Sequence, residues 1–196
     1  MTRTGRRSDG SDTRADLLTA AQREFYDRGY AGASIRGIAA GAGVDPALVY
    51  HYFADKQALF VAALRFPANP AEKLPQVLAG DPKELGIRLV GTVVSVWDST
   101  ESSPILTLLR SAVTNPAFAD MLREFLIDAV LRPVLDSLVV QQRELRASLV
   151  ASQLVGLAMA RYVLRLPPLT TLGIDDVVQV IAPTVQRYLT GPLGAG

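Results

Sequence analysis

Residues 34–53 read SIRGIAAGAGVDPALVYHYF, and this stretch decides how the first part of the chain folds. It opens on a serine, a favoured N-cap residue, and Gly41 and Gly43 then interrupt the helical pattern. Asp45 and Pro46 mark a second helix start, because aspartate caps free amides and proline fits the first helical position. Two short helices joined by a glycine-marked turn are typical of a helix-turn-helix.

Side chains suited to contacting a duplex lie in or beside this stretch. Ser34 places a hydroxyl and backbone amides at a helix N-terminus, where phosphates bind well. Arg36 can reach a phosphate or a guanine edge, Tyr50 carries a phenolic donor, and Lys56 can anchor a flanking phosphate. The alternatives are ordinary solvated charges for Arg36 and Lys56, a core position for Tyr50, and simple exposure for His51, the single histidine.

The rest of the chain predicts helix after helix, with no credible strand signal. A short polar residue before a proline recurs at Asp81-Pro82, Ser103-Pro104 and Asn115-Pro116, and each pair predicts a helix start. Near the N-terminus, Thr13 fits a capping box and Gly29 a helix stop. The expected later helices cover residues 82–97, 104–114, 116–139, 146–165 and 174–190.

Residues 20–60, AAQREFYDRGYAGASIRGIAAGAGVDPALVYHYFADKQALF, carry a resemblance to a known family. With its SIR-x-IA start, AGV turn and LVYHYF-x-DK end, the sequence from Thr13 to Leu64 resembles the N-terminal domain of TetR-family transcriptional regulators. The resemblance implies an all-α fold of about nine helices. A three-helix helix-turn-helix DNA-binding domain precedes a larger helical domain for ligand binding and dimerisation.

The same resemblance implies a homodimer, a palindromic double-stranded DNA operator and a regulatory small-molecule effector. The DNA contacts carried over by position are Ser34, Arg36, Ala47, Leu48, Tyr50, His51, Tyr52 and Lys56. Ala47 and Leu48 can touch a thymine methyl but cannot hydrogen-bond a base. We expect a disordered basic arm over 1–11, the DNA-binding domain over 12–66 and the regulatory domain over 67–196. The proline-bearing residues 66–80 mark the boundary.

Composition excludes several classes of function. The 196 residues are 49% apolar and 20% charged, which is typical of a globular chain. With no cysteine and one histidine, disulfides, zinc fingers and thiol catalysis are excluded, and we expect no metal site and no cofactor. No Ser-His-Asp set or phosphate loop appears, so we predict no enzyme. No charge-free run approaches the roughly 20 residues of a membrane span, and a cytoplasmic, nucleoid-associated protein is expected.

Net charge gives little help. The chain carries +1 overall, and residues 1–65 hold nine Lys/Arg against seven Asp/Glu. The excess has the sign that DNA binding needs, but it is small. Arg3, Arg6 and Arg7 of the arm are candidates for touching phosphates or a minor groove, the alternative being a plain solvated tail.

The regulatory domain offers candidates chosen by residue type. For ligand binding these are Trp97, Arg110, Met121, Phe125, Met159 and Tyr162, with ordinary core or surface roles as the alternative. Arg110 can select an acidic ligand or extend to water, and Arg161 and Arg165 share that ambiguity.

The last two helices predict a dimer interface, with monomer core as the alternative. Small residues every four positions and an apolar stripe define it: Ser152, Gly156, Ala160, Val178, Ile181, Val185 and Leu189. Pro183 is expected either to kink the last helix or to remove one of its hydrogen bonds.

The leading prediction is a ligand-responsive, DNA-binding transcriptional regulator. The rival is a helical small-molecule sensor or carrier with a vestigial DNA module.

Overall fold

The computed structural model describes residues 10–66, 68–99 and 104–194. The arginines of the expected basic arm and the predicted cap Ser103 lie outside these residues. The chain divides into two compact units, Met1–Arg65 and Phe66–Gly196. All the regular structure in the described residues is helical, so the predicted all-α fold is confirmed.

Residues 10–65, the described part of the N-terminal unit, form four helices. They are α1 Gly10–Gly32, α2 Ile35–Ala42, α3 Pro46–Tyr52 and α4 Lys56–Ala63. The first helix begins at Gly10, not at Thr13, and Asp12 lies in its first turn, where a carboxylate complements the helix dipole. The predicted stop at Gly29 is a kink inside α1: Gly29 has φ 70°, a conformation that favours glycine.

The core of this unit forms where α1 packs against α2 and α4. Leu17, Ala21 and Phe25 recur every four residues along α1 and are fully buried. The Phe25 ring meets the Phe60 ring of α4 edge to face, with centroids 4.9 Å apart. The amide of Gln22 also donates a hydrogen bond to the Ala63 carbonyl at 2.7 Å, which ties the end of α4 to α1.

The C-terminal unit is built from seven α-helical segments within the described residues. They are α5 Pro70–Leu78, α6 Leu85–Asp98, α7 Pro104–Thr114, α8 Pro116–Phe125, α9 Arg132–Asp136, α10 Arg143–Ala158 and α11 Ile174–Thr190. A 3-10 turn, Pro82–Glu84, leads into α6. A π-helical segment, Leu126–Leu131, joins α8 to α9, and a second, Met159–Val163, extends α10. The predicted helix over 116–139 is therefore interrupted and ends at Asp136.

The cap-and-proline pairs set the helix starts as predicted wherever they are described. The Asp81 carboxylate accepts a hydrogen bond from the Lys83 amide at 2.8 Å, and Asn115 accepts one from the Phe118 amide at 3.1 Å. Residues 66–80, expected only as a boundary, contain α5. Its start is a further pair of the same kind, because Asn69 accepts from the Ala71 amide at 3.1 Å.

The C-terminal core is centred on the contact between α6 and α11. Gly86 lets them approach closely, since a Cβ there would lie 2.7 Å from the Ala182 carbonyl oxygen. The Gly86 amide donates to Gln186 Oε1 at 2.7 Å. Helix α11 continues through Pro183, so this proline removes one intrahelical hydrogen bond without ending the helix.

None of the described helices combines the length and the apolar character that crossing a bilayer would require.

Candidate nucleic-acid interface

Local hydrogen bonds fix the two short helices and the turn between them. The Ser34 hydroxyl oxygen accepts from the Gly37 amide at 3.0 Å and so caps α2. At the other end, Gly43 adopts φ 67° and the Val44 amide donates to the Ala39 carbonyl at 3.0 Å, the pattern of a Schellman motif. The Asp45 carboxylate then accepts from the Ala47 amide at 2.8 Å and starts α3. The predicted helix-turn-helix is therefore present, with its caps in place.

Helix α3 is anchored on one side and open on the other. Val49 is fully buried and Phe53, which follows the helix, is nearly so. On the opposite face Ala47, Tyr50 and His51 are exposed. The Tyr50 residue is 58% exposed, which excludes the alternative of a core tyrosine.

The remaining predicted contacts of α3 lie at the margins of this face. Leu48 and Tyr52 are half-buried. The ring of Tyr52 meets the His51 ring edge to face, with centroids 5.1 Å apart. The free face of α3 is thus made of a small apolar residue, a phenol and an imidazole, and its borders are apolar or aromatic.

The start of α2 is exposed but already holds a carboxylate. Ser34 and Arg36 are exposed. The Ser34 amide donates to Glu24 Oε1 at 3.3 Å, and Glu24 also pairs with Arg28, with Nε and Oε2 3.4 Å apart. Sequence reasoning missed Glu24, whose only signal was its spacing from Arg28. A phosphate approaching the amides of this helix end meets that negative charge, so contact through the Arg36 side chain is the more favourable route.

Lys56 is engaged within the N-terminal unit. Its Nζ donates to the Ala31 carbonyl at 3.2 Å and lies 4.9 Å from the centre of the Tyr30 ring. The side chain therefore links the start of α4 to the end of α1, a structural role that the sequence did not reveal.

A cavity of about 170 Å³ lies within the C-terminal unit. Its lining residues come from α6, α7, α8, α10, the first π-helical segment and the start of the unit. They are Phe66, Trp97, Leu108, Leu109, Ala112, Leu122, Leu126, Val130, Leu131, Ala151, Leu154, Val155 and Ala158.

Among the predicted ligand residues, Trp97 alone belongs to this lining. Met121 and Phe125 are buried in the core, and the Phe125 ring contacts the ring of the lining residue Phe66, with centroids 5.0 Å apart. Met159 and Tyr162 pack beside Trp97 around Leu109 and Ala158. Arg110 is exposed.

Asp98, the residue after Trp97, is the centre of a polar network. Arg161, 8% exposed, pairs with Asp98, with Nη2 and Oδ2 2.9 Å apart, and donates to the carbonyls of Leu169 and Leu172. Arg161 therefore neither extends to water nor lies free for an acidic ligand. The Tyr162 hydroxyl donates to Asp98 Oδ1 at 2.5 Å. Burial, followed by the hydrogen bond to Asp98, raises the pKa of Tyr162 above its usual range.

The residues predicted for the dimer interface divide into three groups by burial. Ser152 and Gly156 are exposed on α10, and a Cβ on Gly156 would meet no atom of the described chain within 4 Å. Ala160, Val178 and Ile181 are half-buried. Val185 and Leu189 are fully enclosed in the unit's own core, because their side of α11 packs on α6, and we therefore leave them out of the interface.

A helix-turn-helix unit followed by a larger helical unit with an apolar cavity is the architecture of a helical DNA-binding regulator. Residues 83–189 match the family model described as "Tetracyclin repressor-like, C-terminal domain", and residues 17–63 match that of "Bacterial regulatory proteins, tetR family". The chain belongs to the TetR family of transcriptional regulators. Members of this family are DNA-binding regulators, so the prediction that the chain is not an enzyme is confirmed.

Individual relatives are regulators as well. The chain is similar to the HTH-type transcriptional regulator BetI of Burkholderia thailandensis, with 24% identity over 130 residues, 57% of this chain and 67% of BetI. It shares 35% identity over 54 residues with the HTH-type transcriptional repressor AcnR of Corynebacterium efficiens, covering 28% of this chain and 29% of AcnR. A TetR-family regulator from Streptomyces coelicolor has a solved structure with 34% identity and a TM-score of 0.48, covering 94% of this chain and 98% of that one.

Proposed function

We propose that this chain is a ligand-responsive repressor, which binds a palindromic operator as a homodimer and is released by a small-molecule effector in the cytoplasm. The exposed face of α3, opposite the buried Val49, carries the proposal. A recognition helix held in this way by a partner helix can enter the major groove with its free face toward the bases. The transcriptional repressor AcnR, 35% identical to this chain over 54 residues, supports repression over activation.

The proposed contacts fall into two chemical groups. Arg36 and Lys56 serve as phosphate or guanine contacts, since their cations suit phosphate oxygens and the guanine edge. Tyr50 and His51 supply donors from the free face of α3, while Ala47 is suited to a thymine methyl. Affinity then depends on the cations, and sequence preference on α3.

The proposed homodimer uses α10 and α11. Twofold symmetry places two recognition helices in successive major grooves, about 34 Å apart. Besides the exposed small residues of α10, α11 leaves Val180 58% exposed. Replacement Val180→Arg is expected to give a monomer in analytical ultracentrifugation. Val113→Arg is the matched control, because Val113 on α7 is also an exposed valine, at 76%. A dimeric Val180→Arg protein would contradict this interface.

The main test is retention on DNA. The purified protein and a palindrome from the region upstream of its own gene are compared in gel-shift titrations at several salt concentrations. If Arg36 contacts a base, Arg36→Ala should weaken operator binding by about 1–3 kcal/mol. If it contacts a phosphate, the slope of log affinity against log salt concentration should fall in magnitude by about 1. Arg23→Ala is the control, since Arg23 is exposed on α1 and loses the same charge. Equal binding by Arg36→Ala, Tyr50→Ala and the parent protein would refute the assigned surface.

Release by an effector has a defined energetic limit. A ligand can weaken operator binding only by its difference in affinity for the DNA-bound and free conformations. The test is to titrate candidate effectors into the complex of the protein with its operator and to measure the release of the DNA by gel shift. Complete absence of salt-dependent retention on any upstream palindrome would favour a sensor or carrier with no DNA function.

A further inference from the structure

The lining of the C-terminal cavity is chemically uniform. Every described residue that lines it is aliphatic or aromatic, with Phe66 and Trp97 supplying two rings. Moving a charged group into such surroundings is strongly unfavourable unless a partner inside compensates it. The described lining offers no such partner, so its shape and apolar character decide what can enter.

Asp98, the residue after the lining residue Trp97, and Arg161 are already paired with each other. Asp98 accepts hydrogen bonds from both Arg161 and Tyr162, and the other donors of Arg161 serve the Leu169 and Leu172 carbonyls. A charged ligand that took Asp98 or Arg161 as its counter-ion would have to break this network.

The volume sets the size of the ligand. An engineered cavity of about 150 Å³ lined by Leu, Ile and Phe stays free of water and binds benzene. The cavity of this chain, at about 170 Å³, falls in the same range and has the same type of lining. A single aromatic ring with a short substituent therefore fits it.

The helix geometry also singles out this cavity. Leu126, Val130 and Leu131 of the lining lie in the π-helical segment Leu126–Leu131. The second π-helical segment begins immediately after Ala158, another lining residue. Single π-helical turns within α-helices occur frequently at functional sites.

We infer that this cavity takes an uncharged, monocyclic aromatic or similarly sized apolar molecule, and that such a molecule is the effector. The inference rests on the proposed function as a ligand-responsive regulator. It predicts that ions of the same ring size are excluded.

The single tryptophan of the chain gives a direct readout, because Trp97 lines the cavity. Bromobenzene, whose heavy atom quenches tryptophan fluorescence on contact, is titrated against the full-length protein. 4-Bromobenzoate and 4-bromophenyltrimethylammonium are the anionic and cationic counterparts. Bromobenzene should quench saturably, and both ions should need at least a hundredfold higher concentration. Tighter or equal binding by either ion would overturn the inference.

Two variants test whether binding occurs in the cavity. Ala151→Phe should fill it and abolish both quenching and the rise in Tm that a bound ligand gives. Ala117→Phe is the control, since Ala117 is exposed on α8 and outside the lining. In the opposite direction, Leu154→Ala should enlarge the cavity and tighten naphthalene binding at least tenfold. Undiminished bromobenzene binding by folded Ala151→Phe, or no gain for naphthalene in Leu154→Ala, would overturn the assignment.

Operator binding separates this inference from the function on which it rests. If bromobenzene occupies the cavity while its presence leaves operator retention unchanged, the ligand class stands and the effector role is lost. If the protein is released from its operator by a charged compound and binds no neutral ring, the ligand class is refuted and the proposed function stands.

Discussion

Arg146 holds the beginning of α10 to the end of α11, and its removal is expected to destabilise the C-terminal unit. The residue is only 8% exposed. Its Nε donates to the Gln141 carbonyl at 2.8 Å, its Nη1 to the Tyr188 carbonyl at 2.7 Å and its Nη2 to the Gly191 carbonyl at 3.0 Å. The Tyr188 carbonyl belongs to the last turn of α11, where carbonyls lack intrahelical partners.

The expected magnitude follows from these three hydrogen bonds. Bonds from a charged donor contribute about 1.5–3 kcal/mol each, but three bonds from one guanidinium are not independent. Desolvation of the buried charge offsets part of the gain. We therefore expect Arg146→Ala to lower the free energy of unfolding by about 3 kcal/mol. That is a large share of the about 5–15 kcal/mol that stabilises a typical protein.

The assay is urea unfolding followed by circular dichroism, with linear extrapolation to water. Arg143→Ala is the matched control: Arg143 lies one turn earlier on α10, its side chain is 50% exposed, and it pairs with Asp136 at 3.1 Å. Such exposed pairs contribute about 0.2–1 kcal/mol. Arg146→Lys should recover less than half of the loss, since lysine lacks the planar fork. Equal losses in Arg143→Ala and Arg146→Ala would refute the reasoning.

Three further predictions concern other parts of the chain. Burial and Asp98 raise the pKa of Tyr162, so the folded state keeps a proton that the unfolded state loses above about pH 10. Stability should therefore fall as pH rises past that value, and Tyr162→Phe should lessen the fall in urea midpoint between pH 9 and pH 11; parallel profiles would contradict this. Asp45→Ala removes the cap of α3 and should cost about 1 kcal/mol in thermal unfolding, while Asp45→Ser keeps most of the stability; no loss in the alanine variant would show that the cap is dispensable. A Cβ on Gly37 would lie 2.7 Å from Glu24 Cδ, so the Glu24 side chain must shift in Gly37→Ala. The gain in stability from Gly37→Ala should therefore be larger, about 0.5–1 kcal/mol, when Glu24→Ala is also present, and a double-mutant cycle without coupling would argue against the contact.

The features that could be predicted from the sequence are those with local physical causes. Asp45 and Asn115 cap their helices through hydrogen bonds that reach only two or three residues ahead. Such signals are readable because cap, proline and helix start are adjacent in the chain. The missed helix α5 carries the same signal at Asn69-Pro70. Two further prolines nearby, Pro67 and Pro75, make the same stretch resemble a linker.

The cavity could not be predicted in this way, because it depends on helix phase. Residue type alone favours Met121 and Phe125, yet both are buried without lining the cavity, and their chain neighbours Leu122 and Leu126 line it. Successive residues on a helix lie about 100° apart, so an error of one position selects another face. The π-helical segment at Leu126–Leu131 shifts that phase further, and a 3.6-residue periodicity does not anticipate it.

The partners of the buried arginines could not be predicted from the sequence for a different reason. Arg161 and Asp98 are 63 residues apart in the chain, and Arg146 reaches carbonyls 42 and 45 residues away. No spacing in the sequence indicates which of the chain's arginines will be buried. Only the packing of α6, α10 and α11 decides this, so the arginine singled out by its apolar neighbours, Arg110, is the exposed one.

The same reasoning applies to the proposed dimer interface. A helix that contributes to both a core and an interface needs two apolar faces. The periodicity of the sequence reveals only the face with more and larger apolar residues, here called the stronger face. On α11 that stronger stripe ends in Val185 and Leu189, which the unit needs for its own core against α6. The face left for a second copy is consequently the weaker one, marked by Gly156 on α10 and Val180 on α11. Small and sparsely apolar residues let helix backbones approach closely, and such a face shows as a stripe only after the core residues have been identified.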